Sequence, residues 1–180
     1  MRRRARIGAG LALAAIVAGY ACQPERQTRV YLEDFEGELC DGVPCGWERS
    51  TGTPAQARWV ETIHPGEHAL QLEGDVTVRG PGAFDTIRGP RMLLRFVVRC
   101  DPGSRLGLDV LVSDGLGTRA LGVAAFAPPE WDEVSVTLGG GGEIADSRIS
   151  AVVLTKTGPG VCEIAEIVMD DLRFEDDLTC

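Results

Sequence analysis

Residues 28 to 175 carry a repeated short-strand pattern, and this pattern constrains the fold more than any other feature of the sequence. Runs rich in Val, Leu, Ile and Phe alternate with polar residues, and clusters of glycine and proline separate them. No segment carries a helical period bounded by caps. About ten short strands without interleaved helices predict an all-β sandwich, with a closed barrel as the alternative. The candidate strands are 28–35, 57–63, 68–73, 75–79, 91–99, 105–113, 118–126, 131–138, 149–155 and 162–174.

The first 21 residues have the pattern of an export signal. Four arginines among the first six residues form a positive region, and the apolar run at 7–18 is too short to span a bilayer. A small-x-small pattern ends at Ala21, directly before Cys22. The segment resembles a bacterial lipoprotein signal, which implies cleavage before Cys22 and acylation of Cys22. Gln23 in the next position implies the outer membrane. An ordinary secretory peptide cut at the same bond is the alternative.

Removal of the signal at 1–21 leaves a tether at 22–27 and one domain at 28–180, which is large enough for a single core. The signal contains four of the 18 basic residues and none of the 27 acidic ones, so the mature net charge is −13. An acidic domain lacks the clustered Lys and Arg that nucleic acids require. We therefore predict no nucleic-acid partner. Attachment to a membrane depends on the acyl chains at Cys22.

Several local patterns together resemble the jelly-roll carbohydrate-binding modules of the galactose-binding-domain-like type, which are appended to bacterial cellulases and xylanases. They are Asp-Phe-Glu-Gly at 34–37, Gly-Trp at 46–47, the turn at 64–67 before the strand at 68–72, Trp-x-x-Val-x-Val from 131, and apolar-Asp-Asp-apolar at 169–172. The resemblance covers 28–175. It implies a jelly-roll sandwich of two antiparallel sheets and a non-catalytic module that binds glycan.

The resemblance also implies a structural calcium ion where the first and last strands meet. Its candidate ligands are the Glu36 side chain, the backbone of Asp34 and Glu67, and a carboxylate from Asp170 or Asp171. Adjacent strand residues face opposite sides, so one of these two aspartates should point into the apolar core. A buried carboxylate needs a partner, and a cation is a natural one. The alternative is that both carboxylates lie at a solvated edge.

Six cysteines in an exported protein suggest disulfides. Cys40 and Cys45 flank a turn-forming spacer that could close a small loop, and they lack the second Cys/His pair of a zinc site. In the family that the chain resembles, the strand at 91–99 runs antiparallel beside the terminal strand. This implies a bridge between Cys100 and Cys162, with two separate buried thiols as the alternative. If Cys22 is acylated, the C-terminal cysteine is left over.

The sequence offers no catalytic set. The two histidines, His64 and His68, flank a Pro-Gly turn, and no glutamate follows the first of them as a zinc-protease motif requires. The Ser-Asp-Gly sequence at 113–115 is typical of a hairpin turn rather than of a nucleophile elbow. We therefore predict that the protein is not an enzyme.

Glycan binding requires aromatic faces on which sugar rings stack. Trp47 and Trp131 match positions that are mainly structural in the family, so we expect both in the core. Trp59 is the remaining candidate platform, with a half-buried core position as the alternative. Arg95 and Arg99 share a face and could add hydrogen bonds. The predicted function is a lipid-anchored glycan-binding module of the cell envelope. The alternative is a structural or assembly lipoprotein that presents an interface to an envelope protein.

Overall fold

The computed structural model describes residues 25–62, 66–83, 85–126, 128–139 and 144–174. The predicted signal at 1–21, Cys22, His64 and the C-terminal cysteine lie outside the described residues. No helix within the described ranges is long and apolar enough to cross a membrane. A short 3₁₀ helix occupies Pro54–Gln56. The strands are β1 (Glu25–Glu33), β2 (Leu39–Cys40), β3 (Val43–Pro44), β4 (Glu48–Thr51), β5 (Ala57–Glu61), β6 (His68–Glu73), β7 (Val76–Gly80), β8 (Arg91–Cys100), β9 (Arg105–Asp114), β10 (Gly117–Phe126), β11 (Asp132–Leu138), β12 (Arg148–Thr157) and β13 (Val161–Phe174).

Two antiparallel sheets form the sandwich, and β2 and β3 form a small separate ribbon. One sheet has the order β11-β8-β13-β6-β5, with β1 paired to the second half of β13. The other has the order β10-β9-β12-β7-β4. From β6 to β9, and again from β10 to β13, successive strands alternate between the sheets. This arrangement confirms the predicted all-β jelly-roll sandwich.

The core lies between the two sheets and follows a period of two. Every second residue of β8 and β9 is buried, as expected when one face of each strand is turned inward. Trp47 is buried as predicted, and its indole N–H donates to Glu33 Oε2 at 2.7 Å. Trp131 is only half-buried, so its predicted core position is wrong. Its ring packs against the guanidinium of Arg99, whose side chain faces away from the core.

Both implied disulfides are confirmed. Cys40 bridges to Cys45 with Cα atoms 4.7 Å apart, and Cys100 bridges to Cys162 with Cα atoms 4.1 Å apart. Cys162 lies directly opposite Cys100 in the register of β13 and β8, as the resemblance implied. This second bridge joins two neighbouring strands at one end of the larger sheet.

The boundaries of the first strand differ from the prediction. β1 starts at Glu25, so 25–27 of the predicted tether pair with the end of β13. The pairing could not be foreseen because these residues are polar and carry no apolar period. β1 ends at Glu33 rather than at residue 35, because Phe35 has a left-handed backbone with φ 57°.

Candidate functional site

The outer face of the six-stranded sheet carries a row of polar side chains that crosses the sheet. Arg58 Nε donates to Gln71 Oε1 at 2.7 Å, and Gln71 Nε2 donates to Glu163 Oε1 at 2.8 Å. Arg99 Nη2 donates to the other oxygen of Glu163 at 2.5 Å. The Arg99 guanidinium lies 5.4 Å from the ring centroid of Trp131, within cation–π range. Each polar group of this row is therefore held by its neighbour on the next strand.

A second ionic group lies on the same outer face. Asp170 accepts a hydrogen bond from Arg95 Nη2 at 2.5 Å and forms an ion pair with Arg29 Nε at 3.6 Å. Its side chain is only 6% exposed. In the described part of the chain, Arg95 Nε is buried without a hydrogen-bond partner. We call this surface the charged face; its members are Arg29, Arg58, Gln71, Arg95, Arg99, Glu163 and Asp170.

The outer face of the five-stranded sheet has a different character. Strand register places Asp109 of β9 and Arg79 of β7 on either side of Val153 of β12. With strands about 4.8 Å apart, the two charged residues are about 10 Å apart. Among the described residues, neither side chain has a hydrogen bond or an ion pair. This surface therefore presents a carboxylate and a guanidinium that are not engaged with each other.

Two neighbouring glycines leave the Asp109 carboxylate accessible to solvent. Gly122 of β10 lies directly opposite Asp109, and a Cβ atom at that glycine would lie 3.2 Å from Asp109 Oδ1. Gly107, two residues before Asp109 on the same strand, also lacks a side chain that could cover the carboxylate. Asp109 consequently lies in a shallow depression between two glycines.

Hydroxyl groups lie on the same outer face as Asp109. Thr77 Oγ1 lies 3.5 Å from Thr155 Oγ1, and the Thr77 amide donates to Thr51 Oγ1 at 2.9 Å. Ser113 Oγ lies 2.8 Å from Thr118 Oγ1. Each hydroxyl can donate one further hydrogen bond or accept one. We call this surface the hydroxyl face; its members are Thr51, Thr77, Arg79, Asp109, Ser113, Thr118, Val153 and Thr155.

Trp59, the predicted sugar platform, lies on the edge strand β5. Leu70, the residue opposite it, is fully buried, so Trp59 faces the inner side of its strand and is half-buried. Its indole N–H donates to the carbonyl of Phe35 at 2.8 Å. Its ring stacks on His68, with centroids 3.7 Å apart and planes 18° apart. One ring face and the N–H of Trp59 are therefore already in use.

The structure brings three of the predicted calcium ligands, Asp34, Glu36 and Glu67, close together. Glu36 Oε1 accepts hydrogen bonds from the amides of Glu67 and His68, both at 2.9 Å. Glu36 Oε2 lies 2.6 Å from His68 Nδ1. This side-chain hydrogen bond is the main reason that the pKa of Glu36 lies below its ordinary range. Asp34 is adjacent, and its Oδ1 accepts the Glu36 amide at 3.1 Å. A candidate set of Glu36, Glu67 and His68 results.

The two aspartates of the last strand lie elsewhere. Asp171 points into the core and is fully buried, while Asp170 belongs to the charged face. Asp171 accepts hydrogen bonds from the amides of Arg88 at 3.0 Å and Gly89 at 2.6 Å, and from Arg173 Nε at 2.7 Å. Its buried charge is thus satisfied by N–H donors. The five predicted ligands occupy three separate places and do not fit one calcium ion as a set; calcium binding stays a prediction.

Sequence reasoning missed the centre of the hydroxyl face. Asp109 and Gly122 lie on the consecutive strands β9 and β10, and Arg79 lies on the more distant β7. Only the register of β9, β10, β12 and β7 brings the three residues to one surface. The alternation of β9 gave a partial signal, since 106, 108, 110 and 112 are apolar. That pattern turns Asp109 outward, but it does not identify the residues beside it.

No protein-family model matches the chain, and no curated protein sequence is similar to it. Solved structures are similar in fold. The CBM22-1 xylan-binding domain from Paenibacillus barcinonensis has a TM-score of 0.54 at 16% identity, over 83% of this chain and 97% of that chain. A carbohydrate-binding module from Cellvibrio mixtus lichenase 5A in complex with cellotriose has a TM-score of 0.50 at 12% identity, over 79% and 98%.

A third similar structure contains the CBM22-1 and GH10 modules of Clostridium thermocellum endo-1,4-β-D-xylanase 10B with xylohexaose. Its TM-score is 0.55 at 13% identity, and it matches 84% of this chain. This chain spans only 30% of that longer protein. At these identities the likeness concerns the fold alone. The chain thus has the jelly-roll sandwich that carbohydrate-binding modules also have.

Proposed function

We propose that the protein is an exported, non-catalytic glycan-binding module and that the hydroxyl face contacts the sugar. The proposal rests on the environment of Asp109. This half-buried carboxylate has no hydrogen-bond or ion-pair partner among the described residues, and the neighbouring Gly107 and Gly122 have no side chains that could cover it. The similar structures support this ligand class, because they include a xylan-binding domain and complexes with xylohexaose and cellotriose.

The chemistry of the hydroxyl face suits a sugar. A carboxylate accepts hydrogen bonds from two adjacent sugar hydroxyls, and a guanidinium donates to ring or hydroxyl oxygens. Asp109 and Arg79 supply these groups on either side of Val153, whose side chain offers an apolar surface to the C–H face of a ring. The Ser and Thr hydroxyls on the same face add donors and acceptors that adapt to the ligand.

The charged face is less suited to this role. Its carboxylates already accept hydrogen bonds from arginine or glutamine side chains, at 2.5 to 2.8 Å for Glu163. A sugar would have to replace these bonds rather than add new ones, so the net gain would be small. This difference favours the hydroxyl face as the binding surface.

Binding should be weak. The described positions of the hydroxyl face include no aromatic side chain, and stacking on aromatic rings is a large part of sugar affinity. We expect dissociation constants of about 1 mM for short oligosaccharides, which corresponds to roughly −4 kcal/mol. Affinity electrophoresis in gels containing xylan, lichenan or other soluble polysaccharides detects binding of this strength. A protein that is retarded by none of them would remove the proposal.

We also propose that Cys22 is acylated and anchors the protein in the outer membrane. The support is the signal pattern before Cys22, together with two disulfides that require an oxidising compartment. The wild-type protein should enter the detergent phase in Triton X-114 partition, and Cys22→Ala should move it to the aqueous phase. A wild-type protein already found in the aqueous phase would contradict lipidation.

Calcium binding remains a separate proposal that concerns Glu36 and the adjacent Glu67. A cation that binds only the native state stabilises it by mass action, so EDTA should lower the melting temperature. Glu36→Gln should abolish this sensitivity to EDTA. An unchanged melting temperature after verified removal of metal would exclude the site.

A further inference from the structure

Among the described residues, strand β10 is an open edge of the five-stranded sheet. It pairs with β9 on one side and is the last strand in the order of that sheet. Residues 115–120 are all exposed. An edge strand presents N–H and C=O groups that can pair with a further strand, and native proteins usually protect such edges with charges, prolines or short length.

The other four edge strands of the sandwich carry such protection. β1, which pairs only with β13, contains four charged residues in nine. β4 and β5 have only four and five residues, and both contain opposite charges. β11 has two acidic residues at its start. β10 has ten residues, no proline and one charged residue. The charged residues are Glu48 and Arg49 on β4, Arg58 and Glu61 on β5, Asp132 and Glu133 on β11, and Arg119 on β10. β10 is therefore the edge that is least protected against pairing.

A solvent-exposed leucine lies beside this edge. Leu116 at the tip of the β9–β10 hairpin is 99% exposed. Two hydrogen bonds stabilise the turn of this hairpin. Asp114 Oδ1 accepts them from the amides of Leu116 at 2.7 Å and Gly117 at 3.1 Å. No atom of the residues that the structure describes lies within 4 Å of a Cβ atom placed at Gly115 or Gly117. The tip thus presents an apolar side chain with free space around it.

We propose that β10 pairs antiparallel with β10 of a second copy of this chain, about a two-fold axis at Ala120. This register places Thr118 opposite Gly122 and Arg119 opposite Leu121 of the second copy. It sets no like charges opposite each other, whereas an axis at Arg119 would pair two guanidinium groups. Leu116 of each copy then lies beside residue 124 of the other.

We expect a second copy of this chain rather than a peptide at this edge, because a two-fold pairing accounts for both the open edge of β10 and the exposed Leu116. A two-fold pairing fills the edge of each chain, and each strand reaches the hairpin tip of the other, so that both leucines are covered. A peptide paired only along β10 would fill the edge and leave Leu116 exposed. Dimerisation through β10 does not depend on glycan binding.

The dimer would change how the proposed binding surface is displayed. A two-fold axis perpendicular to the sheet joins two five-stranded sheets into one continuous sheet and keeps both hydroxyl faces on the same side. Two weak sites on one particle bind a polymer much more strongly than either site alone, without any new contact. A dimer would therefore suit a module with weak individual sites.

Sedimentation velocity of the full-length protein in detergent, over a dilution series, tests this proposal. We expect a dimer for the wild type and a monomer for Ala120→Lys, because the substitution places two lysines opposite each other at an exposed position. Ser135→Lys, at an exposed position on the β11 edge, should remain dimeric. An equimolar mixture of Ala120→Lys and Ala120→Glu should restore the dimer by pairing opposite charges.

Three results would overturn the proposal. The first is a wild-type protein that stays monomeric at every concentration. The second is a dimer that persists in Ala120→Lys. The third is a mixture of the two Ala120 variants that stays monomeric although each variant unfolds in urea as cooperatively as the wild type. The mixture also distinguishes a lost interface from a misfolded variant, because misfolded chains would not regain the dimer.

Discussion

The two outer faces of the sandwich differ in how their polar side chains are satisfied. On the charged face, Arg99 and Gln71 both donate to Glu163. On the hydroxyl face, Asp109 and Arg79 have no hydrogen bond or ion pair to any described residue. Groups that are paired within the chain add to its stability, whereas unpaired groups remain available to a ligand. We therefore expect substitutions on the charged face to change stability and those on the hydroxyl face to change binding.

The largest effect should follow removal of the Cys100–Cys162 disulfide, which lies beside the Glu163–Arg99 pair in the register of β13 and β8. The bridge spans 62 residues, so its loss should destabilise the protein by roughly 4 kcal/mol in the chain-entropy model. Removal of Cys40–Cys45, which spans 5 residues, should cost about 2 kcal/mol. Urea unfolding of the two double-alanine variants measures both values. Equal losses would contradict the entropic explanation.

A matched pair of aspartates tests the comparison more directly. Asp170→Ala removes the buried partner of Arg95 and Arg29, whose own side chains are 32% and 52% exposed, and should cost about 2 kcal/mol. Asp109→Ala removes no hydrogen bond or ion pair with any described residue and should change stability by less than about 0.5 kcal/mol. Urea unfolding of the two variants checks both values. If both lost the same stability, the two faces would not differ in the way we describe.

Much of the charged face could be predicted from the sequence. Arg95 and Arg99 alternate with apolar residues on a long strand, which places both on one face. The resemblance also paired Cys100 with Cys162, and this pairing sets the register that brings Glu163 opposite Arg99. Trp131 was misplaced because its motif identifies the strand that follows it and not the side toward which its ring turns.

The hydroxyl face could not be predicted in the same way. Small polar residues and glycines give the same signal in an exposed strand as in a loop. A bulge between Ile149 and Ala151 also shifts the pairing of β12 with β9. A shift of one residue moves every side chain to the opposite face, so the neighbours of Asp109 can be identified only from the actual strand register.

A smaller effect concerns pH and the contact between Glu36 and His68, which lies outside both faces. His68 holds the pKa of Glu36 below its ordinary value of 4.5. The contact therefore stabilises the fold at neutral pH, and this contribution is lost as the pH falls through the lowered pKa. Between about pH 5 and pH 3, the urea midpoint of the wild type should fall more steeply than that of Glu36→Gln. Glu38→Gln, at an exposed position nearby, should behave as the wild type.

Gly122→Ala should change stability as little as Asp109→Ala. The added Cβ atom would lie 3.2 Å from Asp109 Oδ1 at an exposed strand position, so stability should stay within about 0.5 kcal/mol of the wild type. Binding should fall, because the methyl group partly covers the carboxylate. Gly115→Ala adds a Cβ atom in open space at the hairpin tip and serves as the control. Equal retention of the two variants in a polysaccharide gel would argue against a role for the depression.

Affinity electrophoresis of wild type, Asp109→Ala and Arg99→Ala in one polysaccharide gel tests the central claim most directly. The gel contains the polysaccharide that retards the wild type most strongly, and a gel without polysaccharide gives the reference mobility. We predict that Asp109→Ala returns to the reference mobility while Arg99→Ala stays as retarded as the wild type. Undiminished retardation of Asp109→Ala, or its loss in Arg99→Ala alone, would show that the hydroxyl face is not the binding surface.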